Sequence, residues 1–267
     1  MERVHQIRKL FDEQAETYDA NFSTSIGQKL RERTWRVIDD FFSPGIRVLD
    51  LGCGTGDDAI HLAERGIAVT AVDISPRMIS QVEMKSEALG YRDRIHCQVG
   101  ELESISVQGA PFDGLLSNFA ALNCCSDLSG LQGLARRCLK PRSWLIVTVM
   151  GRFSPFETGL FLWKRDATHS FRRWRGCYDG ALNGVAMRIY YHGLRSLKHS
   201  LGSDFELEKA IGLNLLLPAP GQEHIAASYR LLFRSLEPLD RWLGERWPCC
   251  SLGEFFVSVW RYRPIPR

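Results

Sequence analysis

Residues 48–56 read Val-Leu-Asp-Leu-Gly-Cys-Gly-Thr-Gly, and a second apolar run, Ile67 to Val72, ends in Asp73. No other stretch restricts the fold so tightly. An apolar run that stops at an acid and opens into alternating glycines is a strand feeding a tight turn. The run that closes on Asp73, 21 residues after Gly52, is the next strand, with a helix between them. The glycines let the backbone turn sharply and let a cofactor approach it closely. A carboxylate at Asp73 can accept hydrogen bonds from both hydroxyls of a ribose.

The charges around this turn select the cofactor. A dinucleotide fingerprint aims a helix N-terminus at a pyrophosphate and places its third glycine three residues after the second. Gly52 and Gly54 supply the first two, but Asp57 occupies the third position, Asp58 follows, and Asp50 precedes the turn. Carboxylates there would repel a pyrophosphate. A nucleoside without phosphates and with positive charge fits, and S-adenosyl-L-methionine, with its sulfonium and α-amino groups, is one. The alternative is a glycine-rich turn in an ordinary α/β protein.

Val48–Gly56, Ala71–Met78 and Phe112–Asn118 resemble motifs of the class I S-adenosylmethionine-dependent methyltransferases. The resemblance is closest to the small-molecule enzymes with a Tyr-Asp segment near the N-terminus. It covers residues 10–150 well and the remainder loosely. It is specific for the cofactor and nearly silent on the acceptor. It implies a seven-stranded sheet of order 3-2-1-4-5-7-6 whose last two strands form an antiparallel hairpin, with S-adenosyl-L-homocysteine as product. It also implies that the segment holding Tyr18 closes over the cofactor, and that Glu101-Leu102 touches the adenine amine and ring. Tyr18 as the last inward residue of a first helix, and Glu101 as a solvated loop residue, remain the alternatives.

Strands alternating with helices predict a doubly wound, Rossmann-like α/β sheet. Strands are expected at 46–51, 67–72, 95–99, 113–118, 144–150, 205–211 and 254–262. Two amphipathic helices precede them, ending at Ser43-Pro44-Gly45. Ser75 and Pro76 read as the cap and first residue of a later helix. A long helix is expected over 222–246, broken near Pro238. The chain divides into N-terminal lid helices (1–45), a cofactor-binding core (46–150), an aromatic, basic cap inserted after the fifth strand (151–200), and the rest of the core (201–267).

The 267 residues suffice for one large core. No apolar stretch reaches the ~18 residues of a membrane span, and residues 1–9 lack an apolar signal core, so a cytoplasmic location is expected. Of eight cysteines none forms Cys-x-x-Cys, which leaves no zinc spacing, and most are expected to be small buried hydrophobes. No metal constellation is visible. Residues 1–150 carry 17 basic and 20 acidic side chains, so the net charge of +3 comes from the remainder, above all Lys164, Arg165, Arg172, Arg173 and Arg175 among Trp163, Phe171 and Trp174.

Ligands of such sheets bind at the carboxyl ends of the strands. This collects Asp50, Gly52, Cys53, Gly54, Gly56, Asp73, Ile74, Met78, Glu101, Leu102, Ser117 and Asn118, joined by Tyr18, as the cofactor set; Met78 has a core role as its alternative. Ser117, Asn118 and Phe119 would border the methionine part and the methyl group. Transfer of that group is an in-line displacement, so the protein aligns the nucleophile, excludes water and, for some acceptors, takes a proton. His192 and Tyr191 are the candidate bases, with a structural role as the alternative. Asn118, Trp163, Arg173 and Trp174 are the candidate acceptor contacts. The acceptor is expected to be a small molecule, with aromatic and acidic compounds as the candidates, methylated on O, N or C. Two competing readings are an RNA methyltransferase using the 163–175 cluster and a non-catalytic cofactor-binding regulator. The modest overall charge argues against nucleic acid.

Overall fold

The computed structural model describes residues 2–22, 24–102, 105–182 and 185–264. Helices α1 (Glu2–Gln14), α2 (Tyr18–Phe22) and α3 (Ser25–Phe41) lead into β1 (Arg47–Leu51), α4 (Asp57–Glu64), β2 (Ala68–Asp73), α5 (Pro76–Ala88), β3 (Ile95–Val99) and β4 (Phe112–Ser117). Then come a 3-10 turn (Ala121–Cys124), α6 (Ser129–Cys138), β5 (Leu139–Val149), α7 (Pro155–Trp163) and α8 (Ala167–Ser170). A second 3-10 turn (Arg172–Arg175) leads to the hairpin β6 (Cys177–Leu182) and β7 (Val185–Tyr190). The chain continues through α9 (Leu194–Leu201), β8 (Phe205–Leu213), α10 (Glu223–Ser228), α11 (Arg230–Gly244), a third 3-10 turn (Cys249–Ser251) and β9 (Phe255–Tyr262).

The main sheet has the order β3-β2-β1-β4-β5-β9-β8. Strands β1 to β5 are parallel, and β9 runs antiparallel to both β5 and β8. With β6 and β7 set apart as their own hairpin, β8 and β9 are the sixth and seventh core strands, and the order is the one the resemblance implies.

The central strands read as unbroken apolar runs because both faces are covered. Leu49, Leu115, Leu145, Phe256 and Trp260 enter one core cluster. Their neighbours Val48, Leu116, Ile146, Val257 and Val259 enter the other. Ser75 caps α5 by accepting from the Met78 amide, with Pro76 in the first turn.

Three expectations change. The helix predicted over 222–246 is two helices meeting at Tyr229, and Pro238 lies inside α11. Pro238 is exposed, so water can take the carbonyl that its missing N–H frees. Strand β5 starts at Leu139, where it pairs with Phe112, so Leu139-Lys-Pro-Arg-Ser143 is a distorted strand end rather than a turn, with Arg142 at φ 68°. Residues 194–201 belong with the sheet, since Leu197 and Leu201 of α9 enter the core beside Leu131 and Leu134.

Candidate functional site

The carboxyl ends of β1 to β4 open on a cavity of about 650 Å³. Of the residues expected at the cofactor, Gly52, Cys53, Gly54, Asp73, Ile74, Met78, Glu101, Leu102, Ser117, Asn118 and Tyr18 line it. Asp50 and Gly56 do not. Gly56 starts α4 and packs on Val82. Gly52 sits at φ +73°, and a Cβ there would lie 2.3 Å from the Cβ of Ala121. The turn can pass so close to the segment after β4 only because this residue lacks a side chain. The amides of Gly52 and Cys53 both bond to the Val72 carbonyl, at 2.7 and 3.0 Å, which ties the turn to β2.

Asp73 Oδ2 accepts from the Gly54 amide and Oδ1 from the Ser75 amide, each at 2.9 Å. Burial pushes its pKa up, against the pull of those N–H groups. The carboxylate therefore fixes the β1 and β2 loops relative to each other and keeps lone pairs for a ligand.

Asp50 is fully buried, and neither of its oxygens has a hydrogen-bond partner among the described residues. Burial, then Asp58 and Asp73, raise its pKa well above the ordinary 3.8. The folded state thus holds this proton more tightly than the unfolded chain does. Stability contributed by Asp50 is full below the unfolded pKa and is lost as pH rises through the folded one. Asp50→Asn should stabilise the ligand-free protein at neutral pH by about 1–2 kcal/mol, read as a higher melting temperature. A melting temperature that is unchanged, or lowered, would overturn the view of Asp50 as a buried acid without a partner.

The acids at the start of α4 are not free to repel a ligand, as the sequence had suggested. Asp57 pairs with Lys85 at 2.7 Å and Arg31 at 3.3 Å. Asp58 takes Trp35 Nε1 at 2.7 Å and Asn118 Nδ2 at 3.0 Å. Asn118 is thereby turned toward α4, at the edge of the cavity.

The N-terminal helices are held over the site by polar ties. Asp12 accepts from Ser75 Oγ at 2.5 Å, Asp19 meets Lys85 at 2.6 Å, and Arg8 meets Glu101 at 3.0 Å. Arg3 donates to the Cys124 carbonyl at 2.7 Å and to the Tyr190 hydroxyl. Asn123 bonds the Met150 amide at 2.9 Å and the carbonyls of Met150 and Tyr190, joining β5 to the hairpin. Of these residues the sequence marked Glu101 and Ser75; Arg3, Arg8, Asp12, Asp19, Lys85 and Asn123 carried no local signal, because their partners lie far along the chain.

The acceptor candidates need correction. His192 and Tyr191 are buried and lie outside the cavity. His192 Nε2 sits 3.2 Å from the Leu122 carbonyl and 3.0 Å from that of Cys125, so it carries the proton and donates to them. Burial lowers its pKa, and the ring is a neutral strut for the segment after β4. Tyr191 lies under the Arg173 guanidinium, 5.2 Å from ring centroid to Cζ. Trp163 and Trp174 point to solvent and do not line the cavity. Arg173 is buried between Glu157 and Glu254, at 2.7 and 2.6 Å. Only two of the eight cysteines, Cys138 and Cys250, are buried, whereas Cys53, Cys124 and Cys125 line the cavity. Burial pushes the Cys124 thiol up to about 12, so it is not a thiolate at neutral pH.

A model of the methyltransferase domain family matches residues 48–142. A demethylmenaquinone methyltransferase of Symbiobacterium thermophilum is 35% identical over 171 residues, covering 61% of this chain and 67% of that protein. The chain belongs to the class I S-adenosylmethionine-dependent methyltransferases. This methyltransferase is also 32% identical over 152 residues to a malonyl-[acyl-carrier protein] O-methyltransferase of Methylovorus, covering 55% of this chain and 50% of that one. It thus spans half to two thirds of these relatives. It superposes on an S-adenosylmethionine-dependent methyltransferase of Methanosarcina mazei with a TM-score of 0.60 at 18% identity, over 86% of this chain and 98% of the other.

S-adenosyl-L-methionine is the cofactor of this methyltransferase, and the site suits it. Asp50, buried behind the turn, has no hydrogen-bond partner for its oxygens among the described residues, Asp73 keeps acceptor lone pairs of the kind a ribose needs, and the bare Gly52–Gly54 backbone admits close approach. Among the described residues no helix is long and apolar enough to cross a membrane, and no group of three His, Cys, Asp or Glu is placed to hold a metal.

Proposed function

We propose that this methyltransferase acts on a small, largely apolar acceptor held between α1 and the β6–β7 hairpin. Its nucleophile would be already anionic or would lose its proton without help from a histidine. The carrying observation is the composition of the cavity wall beyond the cofactor residues. Val4, Ile7 and Phe11 of α1 face it together with Leu122, Met150, Met187, Ile189 and Phe255, and no histidine lines it among the described residues. When bound, S-adenosylmethionine supplies a methyl carbon activated by the sulfonium. The protein's part is to hold and dehydrate the pair. Tyr18, Asp73, Met78, Glu101 and Leu102 would bind the cofactor, with Asp50 buried behind them, Ser117 and Asn118 would border its reactive end, and α1 would exclude water. The relative named for demethylmenaquinone supports such an acceptor.

Among the described residues of region 151–200, Met187 and Ile189 reach the cavity. Met187→Ala with Ile189→Ala should raise KM for an apolar phenol, quinol or carboxylate acceptor several-fold and leave the affinity for S-adenosylhomocysteine unchanged. Turnover confined to tRNA, with none on any small acceptor, would sink the proposal. A cytoplasmic location is part of the same reading.

The lid makes a further prediction. Residues 2–14 are tied over the cavity by Arg3, Arg8 and Asp12. Hydrogen exchange in α1 should slow when S-adenosylhomocysteine is added, and less so in Arg3→Ala. Identical protection with and without the ligand would count against a lid.

A further inference from the structure

We infer that the outward face of α11 is a docking surface for an anionic lipid bilayer, next to the mouth of the cavity. Leu231, Leu232, Leu239, Trp242 and Trp247 stand in solvent, Leu231 and Trp247 at 82% and 85% exposure. Leu231, Leu239 and Trp242 recur at helical spacing and share one stripe. Arg230, Arg234, Arg241 and Arg246 are exposed among them. Arg246 lies 3.8 Å over the Trp242 ring, so charge and aromatic surface are presented together.

The acids of the same segment are paired with cations, Glu237 with Arg241 of this face itself. Asp240 is fully buried against Arg33 at 2.8 Å. Glu237 pairs with Lys29 at 3.3 Å and Arg241 at 2.7 Å. Glu245 is the one fully exposed acid of 229–247. With Arg230, Arg234 and Arg246 beside the leucines and tryptophans, the face is apolar and cationic.

Scattered apolar residues on a surface need no partner, but a row of leucines and tryptophans set among charges of one sign does. A second copy of this chain would bring arginines against arginines. A helix with arginines flanking leucine and tryptophan is built to lie at a lipid headgroup boundary, where anionic lipids attract it. Position supports the same occupant. Pro220 and Gly221 line the cavity and lead through α10 directly into α11. A bilayer on α11 would lie beside the cavity mouth, where an apolar acceptor could enter. That last link rests on the acceptor reading above; the docking surface does not.

The test is co-sedimentation of the whole protein with vesicles of phosphatidylglycerol and phosphatidylcholine in equal parts, and of phosphatidylcholine alone. Binding is expected to the anionic vesicles only, weakening as salt rises. Each of Arg230→Gln and Arg234→Gln should weaken it about fivefold. Leu231→Glu with Trp242→Glu should weaken it tenfold or more, with melting temperature and turnover of a water-soluble acceptor unchanged. No sedimentation at low salt, equal binding by the variants, or a role of these residues only in dimerisation or in binding an acidic carrier protein would overturn it. If the wild type sediments as expected but methylates no apolar acceptor, the acceptor reading fails and the docking surface stands.

Discussion

Replacing Arg173 by alanine is expected to destabilise the protein by about 3–5 kcal/mol, because it breaks a buried ion-pair cluster from one side. Arg173 Nη2 bonds Glu157 at 2.7 Å and Glu254 at 2.6 Å, and Nη1 bonds the Glu254 carbonyl at 3.0 Å. Arg172 still serves Glu157, at 2.8 Å, but Glu254 would be left buried without a cation. For a chain of this size the melting temperature should fall by roughly 10 °C. The pH dependence gives a second reading. Burial raises the Glu157 carboxyl, but the hydrogen bonds of Arg172 and the charge of Arg173 more than offset it and hold its pKa below 4.5. A depressed carboxylate stabilises above its unfolded pKa, and that stability is lost as pH falls through the folded value. The wild type should therefore lose stability on acidification below about pH 4.5, and Arg173→Ala should lose less. Normal melting with only acceptor affinity reduced would restore Arg173 to the acceptor contacts.

Asp73→Ala should weaken binding of S-adenosylhomocysteine by about 10- to 150-fold, corresponding to about 1.5–3 kcal/mol for hydrogen bonds to a charged group. Two effects combine in that loss. The ligand loses its carboxylate, and the amides of Gly54 and Ser75 lose the acceptor that sets the two loops in register. Asp73→Asn, which keeps an acceptor oxygen and drops the charge, should fall between. Calorimetry showing wild-type affinity in Asp73→Ala, or NAD bound in place of S-adenosylhomocysteine by the wild type, would remove the basis for the site.

The cofactor half was legible because its signals are local. Glycines at 52, 54 and 56, the acids ending β1 and β2, and the Ser75-Pro76 cap each act within a few residues. The acceptor half was not, because it is made of distant partners. An arginine beside tryptophans looks the same in sequence whether it faces a ligand or two glutamates, and those of Arg173 lie 16 and 81 residues away. Tyr191 and His192 follow β7 directly, but the chain turns inward past Tyr190, so their side chains brace the wall from behind. The β6 strand escaped notice because Cys-Tyr-Asp-Gly-Ala-Leu carries a glycine and an acid in place of alternating apolar residues. The break at Tyr229 lies where no proline or glycine marks it.

The place of β9 has a consequence for synthesis. This strand lies between β5 and β8, yet it follows both in the chain, by 105 residues from the end of β5 to the start of β9 on one side and 41 from the end of β8 on the other. Until Phe255–Tyr262 has left the ribosome, β5 shows a long apolar edge and β8 has no partner in the sheet. The nascent chain must therefore complete its cofactor-binding strands first and wait with one margin open. A messenger cut short before residue 255 would yield a protein with an intact nucleoside cradle and a sticky flank, a substrate for chaperones and proteases rather than a smaller enzyme.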